Sequence, residues 1–81
     1  MMQLREDIVK ALKQKLEGEI SAHKVNVEIM LENTVGVGEH PNIIETVEKE
    51  LEIIAGNEDK LSVLKKYFTD QSDKKKEVLN G

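Results

Sequence analysis

Few residues in this 81-residue chain could do chemistry, and they fall in three places. The first is Gly36-Val37-Gly38-Glu39-His40-Pro41, where two glycines precede an acid, an imidazole and the only proline. A glycine-rich loop cradles phosphate when a strand leads into it and a further glycine and a lysine follow at set spacing. Here no strand pattern precedes the loop, the later glycine and lysine are missing from their places, and Glu39 would repel an anion. Glu39 and His40 together could share general acid–base work. That needs a pocket and a third group to orient the imidazole, and the sequence supplies neither. The sensible reading of Gly36, Gly38 and Pro41 is a hinge between two helices.

The second place is His23, on the edge of an apolar helical set. A hydrogen-bonded interface histidine is expected there rather than a metal ligand. No His-x₃-His, no Glu-x-x-His and no cysteine occurs, so thiolate sites and disulfides are excluded and no metal or cofactor is expected. The third place is basic: Lys60, Lys65 and Lys66, then Lys74-Lys75-Lys76. Nucleic-acid binding calls for a larger basic excess, stacking aromatics or a recognised helix-turn-helix. This chain has a net charge of −4, and its only aromatics are Tyr67 and Phe68. An enzyme is not expected, and nucleic-acid association through the basic end is the alternative reading.

The elements that carry these residues are helices. Charged residues make up 35% of the chain and β-branched residues are scattered among Glu, Lys and Leu, a mix that favours helix over sheet. The first helix is expected over residues 3–33. Apolar residues recur there at Leu4, Ile8 and Ala11, then Ala22, Val25 and Ile29, a heptad seam interrupted by Lys15 and Gly18. A second set runs Val9, Leu12, Leu16, Ile20, Val27 and Leu31. At 100° per residue the two sets cover roughly two-thirds of the helix circumference, whereas one neighbouring helix needs a stripe of little more than ~100°. The first helix therefore has more apolar surface than a single partner can use. The small residues Ala11, Gly18 and Ala22 on its first seam suit close backbone approach, and Gly18 costs ~1 kcal/mol relative to Ala that such packing would offset.

Asn33 to Gly36 ends this helix, with a glycine placed to take the left-handed position beyond the last turn. Pro41 suits the first turn of the next helix, and Asn42 with Glu45 offers a capping box one residue later. The second helix is expected over 41–69, with Ile43, Val47, Leu51, Ile54, Leu61 and Phe68 on one face and Ile44 and Leu64 flanking it. Gly56-Asn57 could break it into two, but the apolar phase survives across Gly56, so a continuous helix is the expected form. Glu48, Glu50 and Glu52 are expected on the outer face. Glu6–Lys10 and Glu45–Lys49 have the spacing of weak ion pairs. Residues 70–81 are read as a polar, frayed tail beyond a single 1–69 domain.

Folding the chain about Gly36 and Gly38 separates its charge. Residues 17–59 hold Lys24 and Lys49 against eleven acids, and the remaining residues hold ten bases against five acids. A hairpin then has an acidic loop end and a basic terminal end. Each helix is ~45 Å long, so the two regions lie further apart than the ~8 Å Debye length. Two such rods attract head to tail. A chain this short has a marginal core and, lacking disulfides, is expected to supplement it by association. The expectation is an all-α antiparallel hairpin that dimerises into a four-helix bundle through Leu4, Ile8, Ala11, Gly18, Ala22, Val25 and Ile29. No apolar run approaches the ~20 residues of a membrane span and no signal-peptide core occurs near Met1, so a cytoplasmic protein with no membrane partner is expected.

The run Val35-Gly36-Val37-Gly38-Glu39-His40-Pro41-Asn42-Ile43-Ile44-Glu45, followed by Lys60-Leu61, Leu64 and Tyr67-Phe68, resembles small helical proteins of T4-like marine bacteriophages. The likeness spans about residues 3 to 68. That group has no established activity, so the resemblance implies a place of action, the cytoplasm of an infected bacterium, and no chemistry. The function expected from the residues is that of a structural, adaptor or regulatory component acting through protein contacts.

Overall fold

The computed structural model describes residues 3–32 and 42–69 of the chain. The expected hinge residues Gly36, Gly38 and Pro41, the Glu39-His40 pair, and the tail with Lys74, Lys75 and Lys76 lie outside the described residues. Two helices account for nearly all the rest: α1, Leu4–Glu32, and α2, Ile43–Phe68. They begin and end within two residues of the expected bounds. The helices contact each other extensively, and the fold is an all-α helical hairpin.

Charge suits three of the four helix ends, the exception being the end of α1, which closes on Glu32 with no base in its last turn. Glu6 and Asp7 lie in the first turn of α1 and Glu45 in that of α2, while Lys65 and Lys66 occupy the last turn of α2. Each sign sits where the helix dipole favours it. The capping box expected at Asn42 and Glu45 does not form: Asn42 makes no side-chain cap hydrogen bond. Its carbonyl instead accepts from the Thr46 amide at 2.9 Å and from Thr46 Oγ1 at 3.0 Å. The first of these is the ordinary opening bond of the helix and the second adds the threonine hydroxyl to the same carbonyl. At the other end Thr69 leaves the helix in extended geometry, and its Oγ1 donates to the Lys65 carbonyl at 2.7 Å.

α2 runs unbroken through Gly56 and Asn57. Asn57 does not cap a new helix. Its Nδ2 donates to the Ile53 carbonyl at 2.9 Å, one turn back, so its amide bonds within the helix it could have broken.

Two cross-helix contacts fix the register. Arg5 Nη2 donates to the Phe68 carbonyl at 3.4 Å, and His23 meets Glu50 at 2.6 Å. In both pairs the residue numbers sum to 73, so the helices run antiparallel in one constant alignment. The seam is formed on α1 by Val9, Lys13, Leu16, Ile20, His23, Val27 and Met30 and on α2 by Ile43, Val47, Glu50, Ile54, Asn57, Leu61 and Leu64, with Glu19 and Lys65 also half-buried beside it. Both series alternate steps of four and three, the spacing of a coiled-coil seam. Two expectations for α2 change accordingly. Leu51 and Phe68 are half exposed rather than seated on the inner face, and Glu50 turns inward instead of lying on the outer one. The helical period gives the reason for Leu51: at 100° per residue it lies about 90° from the mean direction of the seam positions, and Glu50 only about 10° from it. Phe68 continues the seam by a further step of four, but it lies level with Arg5 at the start of α1, where little of the partner helix is left to cover it.

The core between the helices is thin. Among the described residues only Leu16 and Leu64 are buried, each 9% exposed. Lys13, His23, Glu50 and Asn57 take seam positions that apolar side chains could have filled. No described helix is long and apolar enough to cross a membrane.

Candidate functional site

Two features of the hairpin could do something beyond holding it together. One is a polar cluster on the seam, the other an apolar face outside it.

The cluster is built on α1 by Glu19, His23 and Asn26, which lie on successive turns of one face, and on α2 by Glu50, which the register brings opposite His23. His23 Nδ1 donates to Glu50 Oε1 at 2.6 Å, and His23 Nε2 lies 3.3 Å from Glu19 Oε1. Asn26 Nδ2 donates to the same Glu50 oxygen at 3.1 Å. Both ring nitrogens thus face carboxylate oxygens. The protonated imidazole can donate to both, whereas either neutral tautomer sets a lone pair against one acid. The hydrogen bond to Glu50 raises the His23 pKa above its ordinary value; partial burial opposes this, and the charges of Glu50 and Glu19 add to the rise. The same bond, with help from Asn26, holds Glu50 below the usual carboxylate range.

Chemically this is a clasp. The His23 and Glu50 side chains are 22% and 16% exposed, and neither lines the two depressions described below. With both nitrogens engaged, the ring offers no lone pair to a metal. Among the described residues no group of three or more ligand side chains could hold a metal ion. The expected hydrogen-bonded interface histidine is thus found in place. Its acceptor was missed because Glu50 was assigned to the wrong face. The signal that would have identified it is the sum rule: once the chain is folded as a hairpin, positions 23 and 50 share a level.

The ion pairs expected at Glu6–Lys10 and Glu45–Lys49 do not close. Among the described residues, the ion-pair contacts are the two made by His23. Exposed pairs of that spacing gain too little to hold two long side chains in one geometry.

The apolar face lies on α1. At 100° per residue, Leu4, Ile8, Ala11, Gly18, Ala22, Val25 and Ile29 centre about 145° from the seam that α2 covers. They point away from the partner helix. All seven are exposed, and the four large ones, Leu4, Ile8, Val25 and Ile29, retain 51–68% of their surface. Val25 and Ile29 line a shallow depression edged by Ser21, Lys24, Glu28 and Glu32. A second, more apolar groove lies between the helices near the loop end, lined by Met30, Leu31, Ile43, Ile44, Val47, Glu48 and Leu51. The second apolar set of α1 divides differently. Leu16 is buried, Val9, Ile20 and Val27 are half-buried, and Leu12 and Leu31 stay exposed at its margins.

The basic end is assembled as well. The Arg5–Phe68 contact holds the start of α1 beside the end of α2, which groups Arg5, Lys10 and Lys13 with Lys60, Lys65 and Lys66. Lys66 Nζ sits 5.2 Å from the Tyr67 ring centroid, and the Tyr67 and Phe68 rings meet edge to face at 6.3 Å.

No family model matches the chain, and neither the curated proteins nor the solved structures contain a match to it.

Proposed function

We propose that this chain is a self-associating helical protein that works through protein–protein contacts, as a structural, adaptor or regulatory component and not as an enzyme. The observation that carries the reading is the apolar face of α1, exposed on the side away from α2, while among the described residues only Leu16 and Leu64 are buried. A row of exposed large apolar residues at both ends of one helix face, joined by small ones, suits an occupant. A hairpin with two buried side chains also has little to hold it folded alone, because fully burying a leucine contributes about 1.5–3 kcal/mol and ordering each residue costs about as much. Association supplies what the hairpin lacks, and a homodimer is the simplest closed form. On the resemblance noted above, its place of action is the cytoplasm of an infected bacterium. Sedimentation equilibrium tests the reading: a dimer at micromolar concentration supports it, and a monomer there refutes it.

A second reading draws on the basic end, where Arg5 is held against the last turn of α2, Lys66 lies over the Tyr67 ring and Phe68 meets that ring edge to face. A nucleic-acid-associated accessory protein could use that end on phosphates. Binding to DNA or RNA that falls steeply with salt would favour it, and no binding at low salt would remove it.

A further inference from the structure

The exposed face of α1 has a pattern that fits one occupant. Its positions are Leu4, Ile8, Ala11, Lys15, Gly18, Ala22, Val25 and Ile29, and the steps between them are four, three, four, three, four, three, four. That series reads the same from either end. We infer that two chains pair α1 against α1, antiparallel, about a two-fold axis midway between Lys15 and Gly18, so that facing residues have numbers summing to 33. The inference rests on the self-association proposed above and names its surface and alignment.

In this alignment large faces large at both ends: Leu4 meets the partner's Ile29, and Ile8 meets the partner's Val25. Small faces small nearer the centre, where Ala11 meets the partner's Ala22. At the axis Lys15 lies over the partner's Gly18. A Cβ built at Gly18 has nothing within 4 Å in its own chain, so the space above that backbone is open for the aliphatic stem of a lysine. Glu17 and Glu19 flank Gly18 in sequence, and the ammonium group reaches solvent between two carboxylates.

Charge selects the same alignment. Residues 4–16 carry four bases, Arg5, Lys10, Lys13 and Lys15, against Glu6 and Asp7. Residues 17–32 carry Lys24 against Glu17, Glu19, Glu28 and Glu32. Antiparallel pairing sets the basic half of each α1 on the acidic half of the other, with Lys15 beside the partner's Glu17 and the partner's Glu19. Parallel pairing would set Lys15 on Lys15 and acid on acid. Because the face lies about 145° from the α2 seam, the four helices form a row in the order α2, α1, α1, α2, with the two α1 helices at its centre. This differs from a closed bundle in which every helix touches two neighbours.

Disulfide trapping tests the alignment directly, since the chain has no cysteine of its own. Ala11→Cys and Ala22→Cys are prepared separately, then mixed, refolded together and oxidised. Antiparallel pairing brings position 11 beside the partner's position 22. It holds two copies of position 11 about 16 Å apart along the axis, eleven residues at 1.5 Å, well beyond the ~7 Å Cα separation that a disulfide spans. The expected result is a cross-linked dimer from the mixture, roughly tenfold or more over either variant alone, by the same distance limit. Cross-linking of each variant with itself would overturn the inference in favour of a parallel pair. Dimers by sedimentation with no cross-link in any sample would overturn this interface and leave self-association standing. Monomers throughout would overturn both.

Discussion

Replacing Ala22 with arginine separates association from folding. Ala22 is exposed within its own chain, and arginine is nearly as good a helix former as alanine. The hairpin itself therefore has little reason to notice Ala22→Arg. The proposed dimer does, because the position faces the small Ala11 of the partner and the partner's basic half. Forcing extra volume into a close-packed contact costs about 1–3 kcal/mol per site, and the two-fold axis makes two sites. The total of about 2–6 kcal/mol corresponds to a dissociation constant about 30-fold to about 10⁴-fold weaker, at 1.4 kcal/mol per tenfold. Ala55→Arg is the control. It makes the same chemical change at an exposed position of α2, away from the proposed contact. Sedimentation equilibrium over a range of loading concentrations measures both variants beside the parent. If Ala22→Arg weakens the dimer no more than Ala55→Arg does, α1 is not the contact surface and the reasoning from its face fails.

Further outcomes follow from the same geometry. Because folding and association are linked, the melting temperature rises with protein concentration, by about 3–6 °C per tenfold for a dimer of this size; a constant value would mean that the hairpin folds alone. Leu16→Ala removes one of the two buried side chains and lowers stability by about 2–3 kcal/mol, read from the shift in urea midpoint. Gly56→Ala meets nothing within 4 Å and raises stability by about 1 kcal/mol through helix propensity. The His23–Glu50 clasp gives a pH dependence whose sign is fixed. His23 is raised from about 6.5, so its contribution is complete below that value and is lost as pH rises through the higher folded one. Glu50 is lowered from about 4.5, so its contribution is complete above that value and is lost as pH falls through the lower folded one. Thermal melts should therefore show greatest stability between about pH 4.5 and 6.5 and a decline toward pH 8.5, and His23→Gln should remove the decline.

The hairpin itself was legible because it depends on composition and period. Two long helical patterns separated by the only proline admit few other folds, and the unbroken apolar phase across Gly56 correctly made α2 one helix. The exposed first face of α1 was legible for the same reason, as an excess of apolar surface over what one partner can cover. The inner face of α2 was not. At 100° per residue Glu50 lies about 10° from the middle of that face and Leu51 about 90° from it. Hydrophobicity pulled the assignment toward the leucine, and only the partner helix reveals that a carboxylate belongs there. The Asn42 cap failed on a similar point. Its sequence signature names residue types able to cap, and the geometry at Asn42 leaves the side-chain bond unmade.

The His23–Glu50 contact has one more consequence. Slide α2 by seven residues along α1 and the four-three spacing of the two seams still interlocks, so spacing alone does not distinguish the alignments. The charged pair does. In one direction Glu50 would come level with Met30 and His23 with Asn57; in the other, Glu50 with Leu16 and His23 with Ile43. Either way a carboxylate loses its donor on the seam. The alignment is thus written into the helices and does not depend on how they are connected. An address of this kind is blind to chain identity: α1 of one copy can accept α2 of another in the same register, with the same clasp. Concentrated samples of this protein should therefore exchange helices between copies, and α1 and α2 supplied as separate peptides should find each other.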